Sequence, residues 1–217
     1  MKKITLFVIC LLLINAFVYA QQPNLIKKKI SDYPLLDGSK VPTEDGWQLK
    51  LSDEQKQGQV SITPEKEISI KAVAGEAYTV MASKSTDAVF SPNTDYTIEF
   101  KAKIPQNNGR GLDISLRDGK NFAKLICITH NRVILNGEKE PLANLNGKEY
   151  HVYRVAVERD KAKAHLFVDG IYKASFDLLV KTNSPWLSFG KGNTKADTEI
   201  VINYFTYDLT GAYAPVQ

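Results

Sequence analysis

Cysteine is almost absent from this chain of 217 residues, which carries thiols only at Cys10 and Cys127. With no CxxC and no second thiol near Cys127, a disulfide scaffold and a thiolate zinc site are both excluded. Cys127 falls on the run Ala123, Leu125, Cys127, Thr129 and reads as a small buried hydrophobe. Histidine is also scarce. His130, His151 and His165 form no i, i+2 or i, i+4 pair, so a histidine metal site is not expected. Charge of one sign is lacking too: 28 Lys and Arg stand against 24 Asp and Glu, a formal net charge of +4. The basic residues are scattered except for Lys27-Lys28-Lys29, which reads as a solvated segment, so nucleic-acid binding has no electrostatic support. Downstream of residue 20 no apolar run approaches the roughly 20 residues of a membrane helix. No helical period is sustained over three turns, which disfavours folds with crossover helices. No internal repeat of about 20 to 50 residues is present.

What is present begins with an address. Lys2 and Lys3, the apolar stretch Ile4 to Val18 and the small-residue site Val18-Tyr19-Ala20 predict a signal peptide over 1–20, cut before Gln21. Cys10 lies inside the apolar run after Ile9 rather than after a small residue, so a lipidated cysteine is disfavoured. The chain is therefore expected to be exported, to a periplasmic, cell-surface or extracellular location. Residues 21–46 carry Pro23, Pro34, Pro42, Gly38 and Gly46 without periodicity and predict an extended lead-in crossing the outside of the domain. Residues 47–217 are expected to form a single β-sandwich domain, and about 200 residues is ample for one core.

Period two then dominates. Strands are expected at Trp47 to Leu51, Gln59 to Ile62, Ile68 to Ala72, Tyr78 to Ala82, Tyr96 to Ile104, Leu112 to Arg117, Phe122 to Thr129, Arg132 to Leu135, Tyr150 to Glu158, Lys163 to Val168, Ile171 to Phe176, Trp186 to Phe189 and Thr198 to Asp208. In YTIEFKAKI, Tyr96, Ile98, Phe100, Ala102 and Ile104 should face in while Thr97, Glu99, Lys101 and Lys103 face out. Leu112, Ile114 and Leu116 are expected inside, with Asp113, Ser115 and Arg117 outside. The last strand reads as Ile200, Ile202 and Tyr204 on one face and Val201, Phe205 and Tyr207 on the other, with Tyr204 in the core. Asp169-Gly170 predicts a two-residue hairpin turn, because Gly adopts positive φ freely and Asp tolerates it. The fold class that follows is all-β, a two-sheet antiparallel jelly-roll sandwich.

The segment YHVYRVAVERDKAKAHLFVDGIYKASF, residues 150–176, has a strand with YRV, a charged turn, a strand ending in VDG and a third that closes on an aromatic. In this it resembles the laminin-G-like branch of the concanavalin A-like lectin/glucanase sandwiches. That resemblance implies the sandwich fold but no single activity, since the superfamily holds sugar-binding modules, glycosidases, lyases and adhesive domains.

The motifs of catalysis are missing. A retaining glucanase needs two carboxylates about 5 to 5.5 Å apart, and the family's ExDxxE-type strand is absent, Glu99 and Asp113 having no acidic neighbour on their own strands. Ile128-Thr129-His130 and Tyr204-Phe205-Thr206-Tyr207 are similar to the QIH and YFKAGxY strands of alginate lyases. They depart from them at the Gln, Lys and Gly positions, and no RxExR-like strand accompanies them. Loop oxygens of Asp113, Asp118, Asn121, Asn193 and Asp197 could hold a calcium, as in many sandwiches of the resembled kind, although each is also a common turn former; no other cofactor is implied. Sugar binding asks only for an aromatic platform and a few polar groups. Trp186 is the candidate platform, and Asp113, Arg117, Arg154 and His165 are expected outward on one sheet, with His130 at its border. The ligand-binding set is thus Asp113, Arg117, His130, Arg154 and Trp186. The reading is an exported, non-catalytic module that binds a glycan or polysaccharide, with other cell-surface proteins as further partners. The alternative is a polysaccharide-degrading hydrolase or lyase whose active site no motif reveals.

Overall fold

The computed structural model describes residues 22–51, 59–72, 74, 79–82, 90–107, 111–191 and 196–216. The leader 1–20, which carries the export expectation, lies outside them.

Two antiparallel sheets face each other. One has seven strands in the order Ile171–Asp177 (β14), Lys163–Val168 (β13), His151–Glu158 (β12), Tyr96–Asn107 (β6), Thr198–Asp208 (β17), Ile68–Ala72 (β4) and Gln59–Ile62 (β3). The other runs Ala143–Asn144 (β11), Arg132–Leu135 (β10), Ile126–Ile128 (β9), Leu112–Arg117 (β7), Trp186–Lys191 (β16), Thr79–Ala82 (β5) and Gln48–Leu51 (β2). Asn121–Phe122 (β8) pairs with β7, and Leu179–Val180 (β15) pairs with β8. A parallel pair joins Ile26–Lys27 (β1) to Tyr213–Ala214 (β18). The one helical turn among the described residues, Pro42–Asp45, closes on Gly46 at φ 82° and delivers Trp47 into the core. This is the all-β jelly-roll sandwich that the period-two pattern predicts.

The alternation works because each strand dries one face. Tyr96, Ile98, Phe100, Ala102 and Ile104 of β6 meet Leu112, Ile114 and Leu116 of β7 in one buried cluster. A run of aromatic contacts crosses that cluster: Tyr153 stacks on Phe100 at 5.2 Å between centroids, Phe100 on Phe205 at 5.8 Å and Phe205 on Phe189 at 4.8 Å, with Trp47 edge-on to Phe189 at 5.1 Å. The hairpin turn stands where expected, Asp169 and Gly170 having φ of 52° and 79° between the paired Val168 and Ile171.

Three expectations need correction. The run Phe122 to Thr129 is two short strands, because residues 123–125 leave the ladder and bond elsewhere, Ala123 N–H to the Leu116 carbonyl and the Leu125 carbonyl to Asn136 N–H. The last strand does not keep one alternation. Ile202 lies opposite Ala102 but Tyr204 lies opposite Lys101, so two residues of β17 span one step of β6. That bulge at Asn203 swaps the faces: Ile200 and Ile202 point inward before it, Phe205 and Tyr207 after it, and Tyr204 turns outward. Finally, the outer face of the seven-stranded sheet is not simply wet. Thr97, Glu99, Arg154 and His165 are buried there, and Ala156, Phe167 and Ala214 make a second apolar cluster with Leu25, Tyr172 and Ala212.

The cover is the lead-in together with the tail. Lys28 N–H bonds the Ala214 carbonyl, Thr97 Oγ1 donates to the Gly211 carbonyl at 2.8 Å, and Tyr213 N–H donates back to Thr97 Oγ1 at 2.8 Å. Further along, Leu36 exchanges backbone bonds with Phe205 just beyond the point where β4 stops pairing with β17, and its side chain is buried in the main core.

Candidate functional site

The polar floor of a groove on the outer face of the seven-stranded sheet starts from one cross-strand pair. Arg154 on β12 lies directly opposite Glu99 on β6, both on the outer face. The Arg154 Nε–H donates to Glu99 Oε2 at 2.6 Å, and its Nη2 is 2.5 Å from the same oxygen. Each residue is only 3% exposed. Two ions so far from water hold together only if their remaining hydrogen-bonding groups are satisfied. Arg154 Nη1 donates to the Lys28 carbonyl at 2.9 Å and the Tyr213 carbonyl at 3.5 Å, so the guanidinium ties lead-in and tail to the sheet. Glu99 Oε1 accepts the Tyr204 hydroxyl at 2.9 Å.

Tyr204 reaches that position only because of the bulge at Asn203. Burial and then the Glu99 carboxylate raise its pKa well above the usual phenol value, while Ser31 and the Arg154 charge pull weakly the other way. The phenol is therefore a neutral donor at pH 7.

Around this floor lies a groove of about 670 Å³. Lys29 and Ser31 of the lead-in form one wall, Val152 and the hairpin residues Asp169, Gly170 and Ile171 the other, and Pro215 and Val216 of the tail the end. Ile171 and Val216 are 57% and 56% exposed. The Asp169 carboxylate is engaged on both oxygens, with His151 Nδ1 at 2.6 Å and the Val152 N–H at 2.9 Å. Lys29 pairs with Asp32 at 2.5 Å.

The residues singled out in the sequence do not share one face. Arg154 and His165 belong to the seven-stranded sheet, and Asp113, Arg117 and Trp186 to the other. Alternation reveals that a side chain points away from the core, not which of two layers it leaves. Arg154 is also covered rather than solvated, for the reason given above, and His165 is buried with its Nε2 2.9 Å from Glu158 Oε2. Arg117 and Trp186 are direct cross-strand partners on the second sheet. Asp113 is on the same strand but buried, between Gly190 and Cys127. His130 is exposed at the turn joining β9 and β10, beyond the Leu112 end of β7 and so at the opposite end of that strand from Arg117. Of the oxygens considered for calcium, those of Asp118 accept the backbone N–H groups of Lys120 and Asn121 and the Asn121 side chain. Asp197 Oδ1 accepts Ala74 N–H, and Asn193 lies outside the described residues.

Sequence reasoning sets Glu99 outward without an acidic partner, places Tyr204 in the core, reads Lys29 as solvated and does not single out Ser31. Glu99 was legible as outward, but its partner is 55 positions away, and the bulge that turns Tyr204 outward has no local signature.

No protein-family model matches the chain, and no curated protein sequence matches it. Solved structures do. A sialidase superposes with a TM-score of 0.64 at 11% identity, over 83% of this chain and 18% of its own. An alginate lyase of polysaccharide lyase family 7 gives 0.56 at 15% identity, over 75% and 93%. A second alginate lyase gives 0.55 at 8%, over 78% and 99%. The chain thus spans less than a fifth of the sialidase and nearly the whole of the lyases. At such identities the likeness is one of fold, a jelly-roll sandwich.

Proposed function

We propose that the protein is an exported, non-catalytic β-sandwich module that binds carbohydrate in the groove above Glu99, Arg154 and Tyr204. The observation that carries this reading is the groove's make-up: apolar walls from Val152, Ile171, Pro215 and Val216 over a few fixed polar groups, the arrangement that holds a sugar ring by its apolar face and its hydroxyls by directed bonds. Ser31 and Tyr204 supply hydroxyls, and Lys29 a cation at the mouth. The leader at residues 1–20 supports export, and the resemblance of segment 150–176 to laminin-G-like sandwiches supports the scaffold on which the groove is built. Superposable structures named as a sialidase and as alginate lyases support a saccharide ligand.

The state of the groups in the groove supports binding without turnover. A general base needs a pKa near the working pH and a free lone pair. Tyr204 keeps its proton, and the carboxylates of Glu99 and Asp169 are each engaged at both oxygens.

The test is a glycan array with the purified protein, followed by calorimetry, with reducing-end and unsaturated-product assays on the same glycans. Binding without product is expected, weakened roughly tenfold by Tyr204→Phe or Ser31→Ala through the loss of one hydrogen-bonding group. Released product would replace this reading with the enzymatic one. Binding untouched by both substitutions would remove the ligand from this groove.

A further inference from the structure

On the opposite sheet, four strands bring one row of side chains together. Trp186 on β16 lies opposite Arg117 on β7, Arg117 opposite Phe122 on β8, and Phe122 opposite Leu179 on β15. Direct antiparallel partners share a face with Cβ atoms about 4.5 to 5.5 Å apart, so Arg117 stands in the row between two aromatic residues. Arg117 is exposed, the two rings are half-buried, and Leu179 is 46% exposed. Among the described residues no hydrogen bond or ion pair engages the Arg117 guanidinium or the Lys181 ammonium.

Arg117, Phe122, Lys181 and Asn183 line a cleft of about 180 Å³. Its far wall is fixed. Lys181 N–H bonds the Lys120 carbonyl at 2.9 Å, Asn183 Nδ2 donates to the Asn121 carbonyl at 3.1 Å, and Asn183 Oδ1 accepts Gly119 N–H at 3.1 Å. On the other side the Trp186 indole is held by its Nε1–H donating to Ser188 Oγ at 3.0 Å. The Trp186 indole, the Asn183 amide and the backbone that carries Lys181 are therefore arranged before any ligand arrives, which lowers the entropy lost on binding.

We propose that this row is a second saccharide site, specific for a sugar that bears a carboxylate. The inference rests on the carbohydrate reading of the groove but uses none of its residues. Arginine presents a planar fork that matches a carboxylate at two points, Lys181 adds a second positive charge across the cleft, and Trp186 and Phe122 offer flat apolar faces to the ring that carries the acid. A neutral sugar would meet the same rings but leave both cations unused. The two sites lie on opposite layers of the sandwich, so one molecule of the protein can hold two stretches of polysaccharide.

The experiment is calorimetry with the full chain against tetramers of galacturonate, mannuronate and guluronate and their methyl esters, at low and high salt. The expected result is that at least one acid tetramer binds, that its methyl ester binds at least tenfold more weakly, and that salt weakens the acid form alone. Arg117→Ala and Trp186→Ala should each lower that affinity roughly tenfold or more, with Trp186→Phe retaining part of it. Melting curves of the Arg117 variant should overlay those of the parent, since its side chain is exposed. The proposal is overturned if none of the three acids binds, if ester and acid bind alike, or if Arg117→Ala leaves binding unchanged. Tyr204→Phe separates the two sites: uronate binding lost with Tyr204→Phe and kept with Arg117→Ala would assign it to the groove. Neutral glycans binding in the groove with no uronate bound anywhere would remove this second site alone.

Discussion

At the scale of single residues, Arg154 and Arg117 form a natural contrast. Both are arginines at outward positions of an alternating strand, yet one is buried between a carboxylate and two carbonyls and the other stands in solvent. Removing one partner of a buried pair leaves the other ion desolvated, so Arg154→Ala should cost about 3 to 5 kcal/mol of stability in denaturant unfolding. Arg117→Ala should stay within about 1 kcal/mol of the parent. Equal midpoints for the two variants would refute the clamp. The turn at Asp169-Gly170 offers a cleaner case, because nothing lies within 4 Å of a Cβ placed on Gly170. Any loss in Gly170→Val therefore reports backbone strain at φ 79°, about 1 to 3 kcal/mol, while Gly170→Asn, which tolerates this region, should lose clearly less. The turn was legible because two adjacent residues decide it. The burial of Arg154 was not, since its cover comes from Lys28 and Tyr213, 126 and 59 positions away.

At the scale of elements, most strands could be read because the drying of one face imposes period two on the residues themselves. Leu112–Arg117 and Lys163–Val168 fall where the pattern puts them. Strands of two residues, such as Ala143–Asn144 and Tyr213–Ala214, carry no period and stay silent. Strand β17 is the informative failure. Its residues read as apolar on both faces because the alternation reverses at Asn203, and only pairing with β6 reveals the extra residue. Deleting Asn203 should join the two halves in one unbroken register, because Ile202 and Tyr204 already lie opposite consecutive residues of β6, and it should leave Tyr204 outward and Phe205 and Tyr207 inward. Phe205 would keep its contacts with Phe100, Phe189 and Trp47, so the variant should retain a cooperative thermal transition. A deletion variant that loses that transition would show that more than one extra residue sets the faces of this strand.

At the scale of the whole molecule, the sandwich is closed on one side by chain that belongs to neither sheet. The lead-in puts Leu36 into the main core at 1% exposure, covers the Arg154–Glu99 pair with the Lys28 carbonyl, and anchors Lys28 Nζ to Asp208 at 2.6 Å. Burial alone would raise the Asp208 carboxyl, but hydrogen bonds from Lys28 and Thr210 outweigh it and hold the pKa below the usual value. A group depressed in the folded state adds stability above its unfolded pKa, near 4, and loses it as pH falls through the folded value. The lead-in should therefore loosen below about pH 4 before the sheets unfold, seen as earlier hydrogen exchange at residues 28–36 than at β6. Removing residues 22–37 should do the same damage at neutral pH. Exposing the Leu36 site alone forfeits about 1.5 to 3 kcal/mol of apolar burial, and Arg154 loses a carbonyl partner. The truncated protein should remain a β-sheet by circular dichroism, melt at a lower temperature and bind a hydrophobic dye that the intact chain excludes. It should also lose the groove, whose wall includes Lys29 and Ser31, while keeping the Trp186–Arg117–Phe122 row intact on the other sheet. Retained groove binding in the truncated protein would show that the lead-in is cover only and takes no part in the site.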